Sequence, residues 1–140
     1  MTKTEARKLA KSRRAAVDLH TVGHAMAGVL FTLPAWCSAD TVLAFASMPD
    51  EPDTAEILQQ TLADGKRLLL PRVLSRTEMD WVEISSLSQL RPGAYGILEA
   101  PANLPAFDTA GLDGGVLALI PCLAASPDGV RLGRGGGYYD

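Results

Sequence analysis

Ala6, Leu9, Ala10, Val17 and His20 recur at helical spacing, with the aliphatic stem of Arg13 among them, and predict a helix over residues 4–20. A second, more apolar helical stretch runs over residues 21–33 and is ended by Pro34, which cannot continue a helix. The unbroken run Val42-Leu43-Ala44-Phe45-Ala46 predicts a strand buried on both faces, as in a parallel sheet. Asp53 or Thr54 caps a helix beginning at Ala55, with Glu56 in its first turn, Ile57, Leu58 and Leu62 on one face, and Gly65 just past its end. Residues 67–70 predict the next strand, stopped by Pro71, and the alternation over 79–84 predicts a partly exposed one. Residues 85–114 are rich in Pro and Gly and read as loops with short elements. The apolar run 116–120, ended by Pro121, is the last strand.

Strand, helix, strand, long connection, strand is the order of an α/β fold with a mainly parallel sheet and flanking helices. In such sheets ligands sit beyond the carboxyl ends of the strands. That rule brings the loops after Ala46, Leu70 and Ile120 to one edge.

Composition narrows the class. At 140 residues and 47% hydrophobic, the chain has the size of one domain with one core. No apolar run approaches the roughly 20 residues that span a bilayer, so no membrane association is expected. The basic N-terminus precedes no apolar signal core, and Glu5 and Asp18 argue against a transit peptide. Cys37 and Cys122 lie among apolar neighbours and are expected to be buried free thiols in a reducing compartment, hence a cytoplasmic protein. Six of the 13 Lys and Arg residues fall in the first fourteen positions, so that segment carries +5 and the remainder −8. An acidic body argues against a nucleic-acid surface, which wants a broad positive face.

Three segments carry candidate chemistry. Arg131-Leu132-Gly133-Arg134-Gly135-Gly136-Gly137-Tyr138-Tyr139-Asp140 holds three consecutive glycines, which are costly in chain entropy. They suit either a tight turn or a nest of backbone N–H groups that receives an anion. The flanking arginines and Asp140, a carboxylate able to hold Mg²⁺ on phosphates, favour the nest. Lys3, Arg7 and Lys11 are spaced four apart on the first helix, with Arg14 beyond; they form a solvated basic face or one wall of a polyphosphate site. Met48-Pro49-Asp50-Glu51-Pro52-Asp53-Thr54 follows a buried strand. There Asp53 and Thr54 suit capping, while Glu51 comes too early for that and could accept N–H groups of a heterocycle. His20 and His24 have metal-pair spacing but no evident third ligand, and are read as structural or surface residues. Trp36 and Trp81 read as core aromatics.

The terminal motif resembles the signature of the 5-formyltetrahydrofolate cyclo-ligases. Lys3-Thr4-Glu5-Ala6-Arg7, the segment from Ser47 to Thr54, Gly96-Ile97-Leu98-Glu99, Ile120-Pro121 and Asp128-Gly129 agree with that family in order and spacing. The resemblance implies a three-layer, Rossmann-like α/β fold related to sugar-phosphate isomerases and CoA transferases. Membership of either of those groups is disfavoured, since no catalytic glutamate lies in a CoA-type glycine pattern. It implies that ATP, Mg²⁺ and 5-formyltetrahydrofolate, polyglutamylated or not, give 5,10-methenyltetrahydrofolate, ADP and phosphate, in a monomer. By the same resemblance Lys3, Thr4, Glu5, Ala6, Arg7, Leu132, Gly133, Arg134, Gly135, Gly136, Gly137, Tyr138, Tyr139 and Asp140 hold ATP, with Arg134 stabilising charge and Asp140 holding Mg²⁺. Ala46, Met48, Glu51, Gly136, Gly137, Tyr138 and Tyr139 contact the folate, and no protein nucleophile is needed. It further implies a helix, strand material and a second acidic Mg²⁺ ligand beyond Asp140. The expectation is therefore one cyclo-ligase domain over 1–140, truncated after the glycine loop. The alternative is a non-catalytic remnant that binds nucleotide or folate without turnover.

Overall fold

The computed structural model describes residues 1–93 and 97–139. Its central sheet has the strand order β3-β2-β1-β6, built from β1 (Thr41–Leu43), β2 (Arg67–Val73), β3 (Met79–Ile84) and β6 (Val116–Ala118). β1 pairs in parallel with β2 and with β6, placing Val42 between Leu68 and Leu117, while β3 returns antiparallel along β2. Helices α1 (Lys3–Arg14), α2 (Leu19–Leu30), α3 (Pro34–Cys37) and α4 (Ala55–Ala63) complete the α/β arrangement expected of the sequence. Two small antiparallel pairs lie outside the sheet: β4 (Arg91–Pro92) with β5 (Leu98–Glu99), and β7 (Ala124–Ala125) with β8 (Arg131–Leu132).

The core gathers Val42, Leu68, Leu70, Val82 and Ile84 from the sheet, Ala27 from α2, Trp36 from α3, and Ile57 and Leu58 from α4. Each fully buried Leu, Ile or Val contributes roughly 1.5–3 kcal/mol by leaving water. α1 differs, since none of its residues is buried. Among the described residues no helix is long and apolar enough to cross a membrane.

The structure departs from the pattern-based reading in several places. The helix expected over 4–20 is two helices, because the Asp18 carboxylate accepts from the backbone N–H groups of His20 and Thr21 and starts α2 there. Pro71 does not stop β2, which continues to Val73. The pairing with β1 has already ended at Leu69, so the missing N–H of Pro71 breaks no ladder on that side. Residues 116–120 are not buried on both faces: β6 is an edge strand, with Val116 and Ile120 exposed. Thr54 occupies the N-cap of α4 without a side-chain cap bond. Its hydroxyl instead donates to the Phe45 carbonyl (2.8 Å) and accepts from Ser47 N–H (3.0 Å), while Asp53 receives the Ala55 N–H (2.9 Å). Both cysteines are free, but Cys37 is exposed and Cys122 only half-buried, so neither is the buried thiol expected. Trp36 is a core residue as expected, whereas Trp81 is half-buried.

Candidate functional site

A cavity of about 500 Å³ opens at the carboxyl edge of the parallel strands. Phe45 and Ala46 after β1, Leu70 to Val73 at the end of β2, and Pro121 and Cys122 after β6 all reach it. The segments assigned to one edge by strand polarity therefore do share a site, although residues 70–73 belong to β2 itself and not to a loop. The glycine loop and α1 complete its walls.

α1 lacks a buried apolar face, so polar contacts hold it in place. Arg7 Nε donates to the Gly133 carbonyl (2.8 Å). Arg14 donates to the carbonyls of Asp50 (3.1 Å), Leu123 (2.9 Å) and Cys122. One side chain thus ties the end of α1 to the loop after β1 and to the segment after β6. Helical spacing then sets Lys3 one turn before Arg7, and both line the cavity.

The glycine loop turns through Gly135 (φ +99°) and Gly137 (φ +75°), conformations that L side chains rarely adopt. The Arg7 guanidinium lies 3.5 Å from the place a Cβ on Gly135 would take. A cation and a bare peptide segment are therefore in direct apposition, an arrangement able to receive an anion.

Glu51 is buried, at 6% exposure. Its Oε1 accepts from the Met48 N–H (2.8 Å) and staples the turn, while Oε2 stands 3.8 Å from the Arg134 guanidinium. Arg134 is gripped by Asp50 through both terminal nitrogens, at 3.0 and 2.5 Å. That pairing holds the Asp50 carboxyl below its ordinary range and raises Arg134. Tyr139 sets its ring edge-on to Trp81, 6.3 Å between centroids. Burial, aided by the negative charge of Glu51 and opposed by Arg131, pushes its phenol up to about 12. The Tyr138 hydroxyl donates to the Ser75 carbonyl (2.7 Å).

The structure thus brings together Lys3, Arg7, Ala46, Met48, Glu51, Leu132, Gly133, Arg134, Gly135, Gly136, Gly137, Tyr138 and Tyr139 around one cavity. Thr4, Glu5 and Ala6 do not line it; Glu5 instead closes a capping box with Thr2, whose N–H donates to its carboxylate at 2.8 Å. Asp140 and Gly96 lie outside the described residues. His20 and His24 of α2 pair with Asp53 (2.9 Å), just ahead of α4, and with Glu56 (3.1 Å) in the first turn of α4, in keeping with a surface role. Among the described residues no group of three or more His, Cys, Asp or Glu forms a metal site. Reading the sequence missed Arg14 as the clasp of α1, Asp50 as the partner of Arg134, and Arg72 and Leu98 on the cavity wall. The basic run flagged Arg14 only as one cation among six, Asp50 and Leu98 stood inside segments singled out for other residues, and no local pattern marked Arg72.

A family model described as the 5-formyltetrahydrofolate cyclo-ligase family matches residues 2–140. A 5-formyltetrahydrofolate cyclo-ligase of Mus musculus is 34% identical over 108 residues, covering 69% of this chain and 49% of that protein. One of Mycolicibacterium smegmatis is 34% identical over 110 residues, covering 74% and 54%. The chain spans about half the length of these curated relatives. The NMR structure of a 5,10-methenyltetrahydrofolate synthetase of Aquifex aeolicus aligns with TM-score 0.77 at 26% identity, covering 99% of this chain and 70% of that one. A Mycoplasma pneumoniae synthetase, at 20% identity and TM-score 0.65, shares the fold, covering 99% of this chain and 75% of its own.

Proposed function

The chain belongs to the 5-formyltetrahydrofolate cyclo-ligase family, and from that premise we propose that it converts 5-formyltetrahydrofolate and ATP to 5,10-methenyltetrahydrofolate, ADP and phosphate. The observation that carries this reading is the convergence, on one cavity of about 500 Å³, of the glycine loop, the Lys3–Arg7 pair and the buried Glu51. The first two suit a triphosphate and the third suits the N–H groups of a pterin.

In this reading Lys3, Arg7 and the backbone N–H groups of residues 133–137 hold the phosphates. Thr4, Glu5 and Ala6 serve as the helix that carries the two cations, and Leu132 shapes the approach to the loop. Ala46, Met48 and Glu51 receive the folate beside Gly136, Gly137 and the two tyrosines. The formyl oxygen attacks the γ-phosphorus, the ADP oxygen leaves, and N10 then closes the five-membered ring and expels phosphate. Phosphoryl transfer of this kind depends on positioning and charge neutralisation, which Arg7 and Arg134 supply; it needs no protein nucleophile. Mg²⁺ would neutralise charge on the phosphates, with Asp140 as its expected ligand. The same reading places the protein in the cytoplasm as a monomer, where the free Cys37 and Cys122 would stay reduced.

The test is direct. The chain is incubated with 5-formyltetrahydrofolate, ATP and Mg²⁺, and the methenyl chromophore is followed. Its growth with stoichiometric ADP is expected. Nucleotide binding without that signal would instead favour the non-catalytic alternative.

A further inference from the structure

Arg134 occupies the glycine loop between Gly133 and Gly135, yet its guanidinium is gripped by a carboxylate 84 positions earlier in the chain. Both Asp50 oxygens are engaged in a two-pronged geometry, the strongest form of an Arg–carboxylate contact. Glu51 Oε2 stands 3.8 Å from the same guanidinium. Asp50 is fixed from behind, since its carbonyl accepts from Arg14 at 3.1 Å. The pair is not sealed: Arg134 is 30% and Asp50 42% exposed, so water and an incoming anion can reach it. Water competes for a pair this exposed, and a triphosphate carries several times the charge of one carboxylate.

We propose that Asp50 and the phosphates of a nucleotide compete for Arg134, which makes Asp50 a positioning residue for Arg134, while Arg134 and Glu51 couple the nucleotide half of the cavity to the folate half. The proposal rests on the two-substrate reading given above. When Arg134 goes to phosphate, Asp50 loses its partner and Glu51 loses its nearest cation. The outward oxygen of Glu51 is then the stronger acceptor for folate N–H groups. A bound folate that occupies Glu51 weakens the hold on Arg134 in return. Linkage requires the two effects to be equal in equilibrium binding.

The experiment measures binding of a non-hydrolysable ATP analogue with Mg²⁺ by calorimetry, with and without 5-formyltetrahydrofolate, for the wild type and for Asp50→Asn. In the wild type each ligand is expected to tighten the other about two- to fivefold, the worth of one partly exposed ion pair. Asp50→Asn is expected to bind the analogue about two- to fivefold more tightly without folate, and to keep its coupling, which runs through Glu51 and Arg134. Raising the salt concentration should erode the coupling of the wild type. Asp50→Ser, read alongside, should behave as Asp50→Asn does. If the variants bind the analogue no more tightly than the wild type, Asp50 merely supports its loop and the proposal fails. Wild-type protein that binds both ligands without coupling overturns the proposal and leaves the two-substrate reading standing. Wild-type protein that binds neither overturns both.

Discussion

Replacing Arg14 by Ala should loosen α1 while leaving the sheet intact. α1 has no fully buried residue, and of its apolar side chains only Ala6 and Ala10 are half-buried, so burial of apolar surface contributes little to its docking. Arg14 places one guanidinium against the carbonyls of Asp50, Cys122 and Leu123, and Arg7 adds a contact to Gly133. A hydrogen bond from a charged donor contributes about 1.5–3 kcal/mol when well buried. These are only partly buried, and water can solvate the freed carbonyls, so the total loss is set at about 2 kcal/mol. That corresponds to roughly a thirtyfold rise in the opening equilibrium of the helix. Native-state hydrogen exchange reads it directly: α1 amides should lose about thirtyfold protection, while β1 and β2 amides keep theirs. Arg14→Lys should fall between, because an ammonium cannot span three carbonyls in the fixed fork of a guanidinium. Loosening α1 also releases Lys3 and Arg7 from the cavity, so nucleotide affinity should fall with the protection. Unchanged α1 exchange, or an equal loss across the sheet, would refute the argument that polar clasps dock this helix.

Gly135→Ala forces an L side chain into φ +99° directly over the Arg7 guanidinium, at a cost of about 1–3 kcal/mol. Nucleotide binding should weaken by around tenfold at modest cost to the melting temperature, and unaltered affinity would mean that the loop does not touch phosphate. The His20–Asp53 contact should give a pH-dependent stability. Asp53 raises His20 above its ordinary 6.5, so that contribution is fully present below 6.5 and is lost as pH rises through the raised value. Asp53 itself is lowered from 3.8, first by the Ala55 N–H and then by His20, so its share is present above 3.8 and lost as pH falls through the lowered value. The difference in melting temperature between wild type and His20→Ala should therefore be largest between these two ordinary values and vanish at higher pH. A difference that widened toward alkaline pH would contradict this linkage.

Local pattern determined a great deal by itself. The apolar runs around Val42, Leu68 and Leu117 became adjacent parallel strands because side-chain period and burial are encoded in consecutive residues. The glycine loop declared itself because positive φ is costly for every other residue, and the basic segment because six cations in fourteen positions stand out against an acidic body. Strand polarity alone gathered three loops at one edge, and the cavity lies there. Other features were decided only in three dimensions. Whether Pro71 ends a strand depends on where its neighbour β1 stops, and whether residues 116–120 are buried depends on β6 lying at the sheet's edge. Which cation of the first helix serves as clasp and which faces the cavity follows from the docking angle of α1, set by carbonyls more than a hundred residues away. The grip of Asp50 on Arg134 joins positions 84 apart, and nothing in either segment marks the other as its partner. Periodicity and backbone strain are properties of a short segment, whereas a charge acquires a partner only when the sheet's register brings distant loops together.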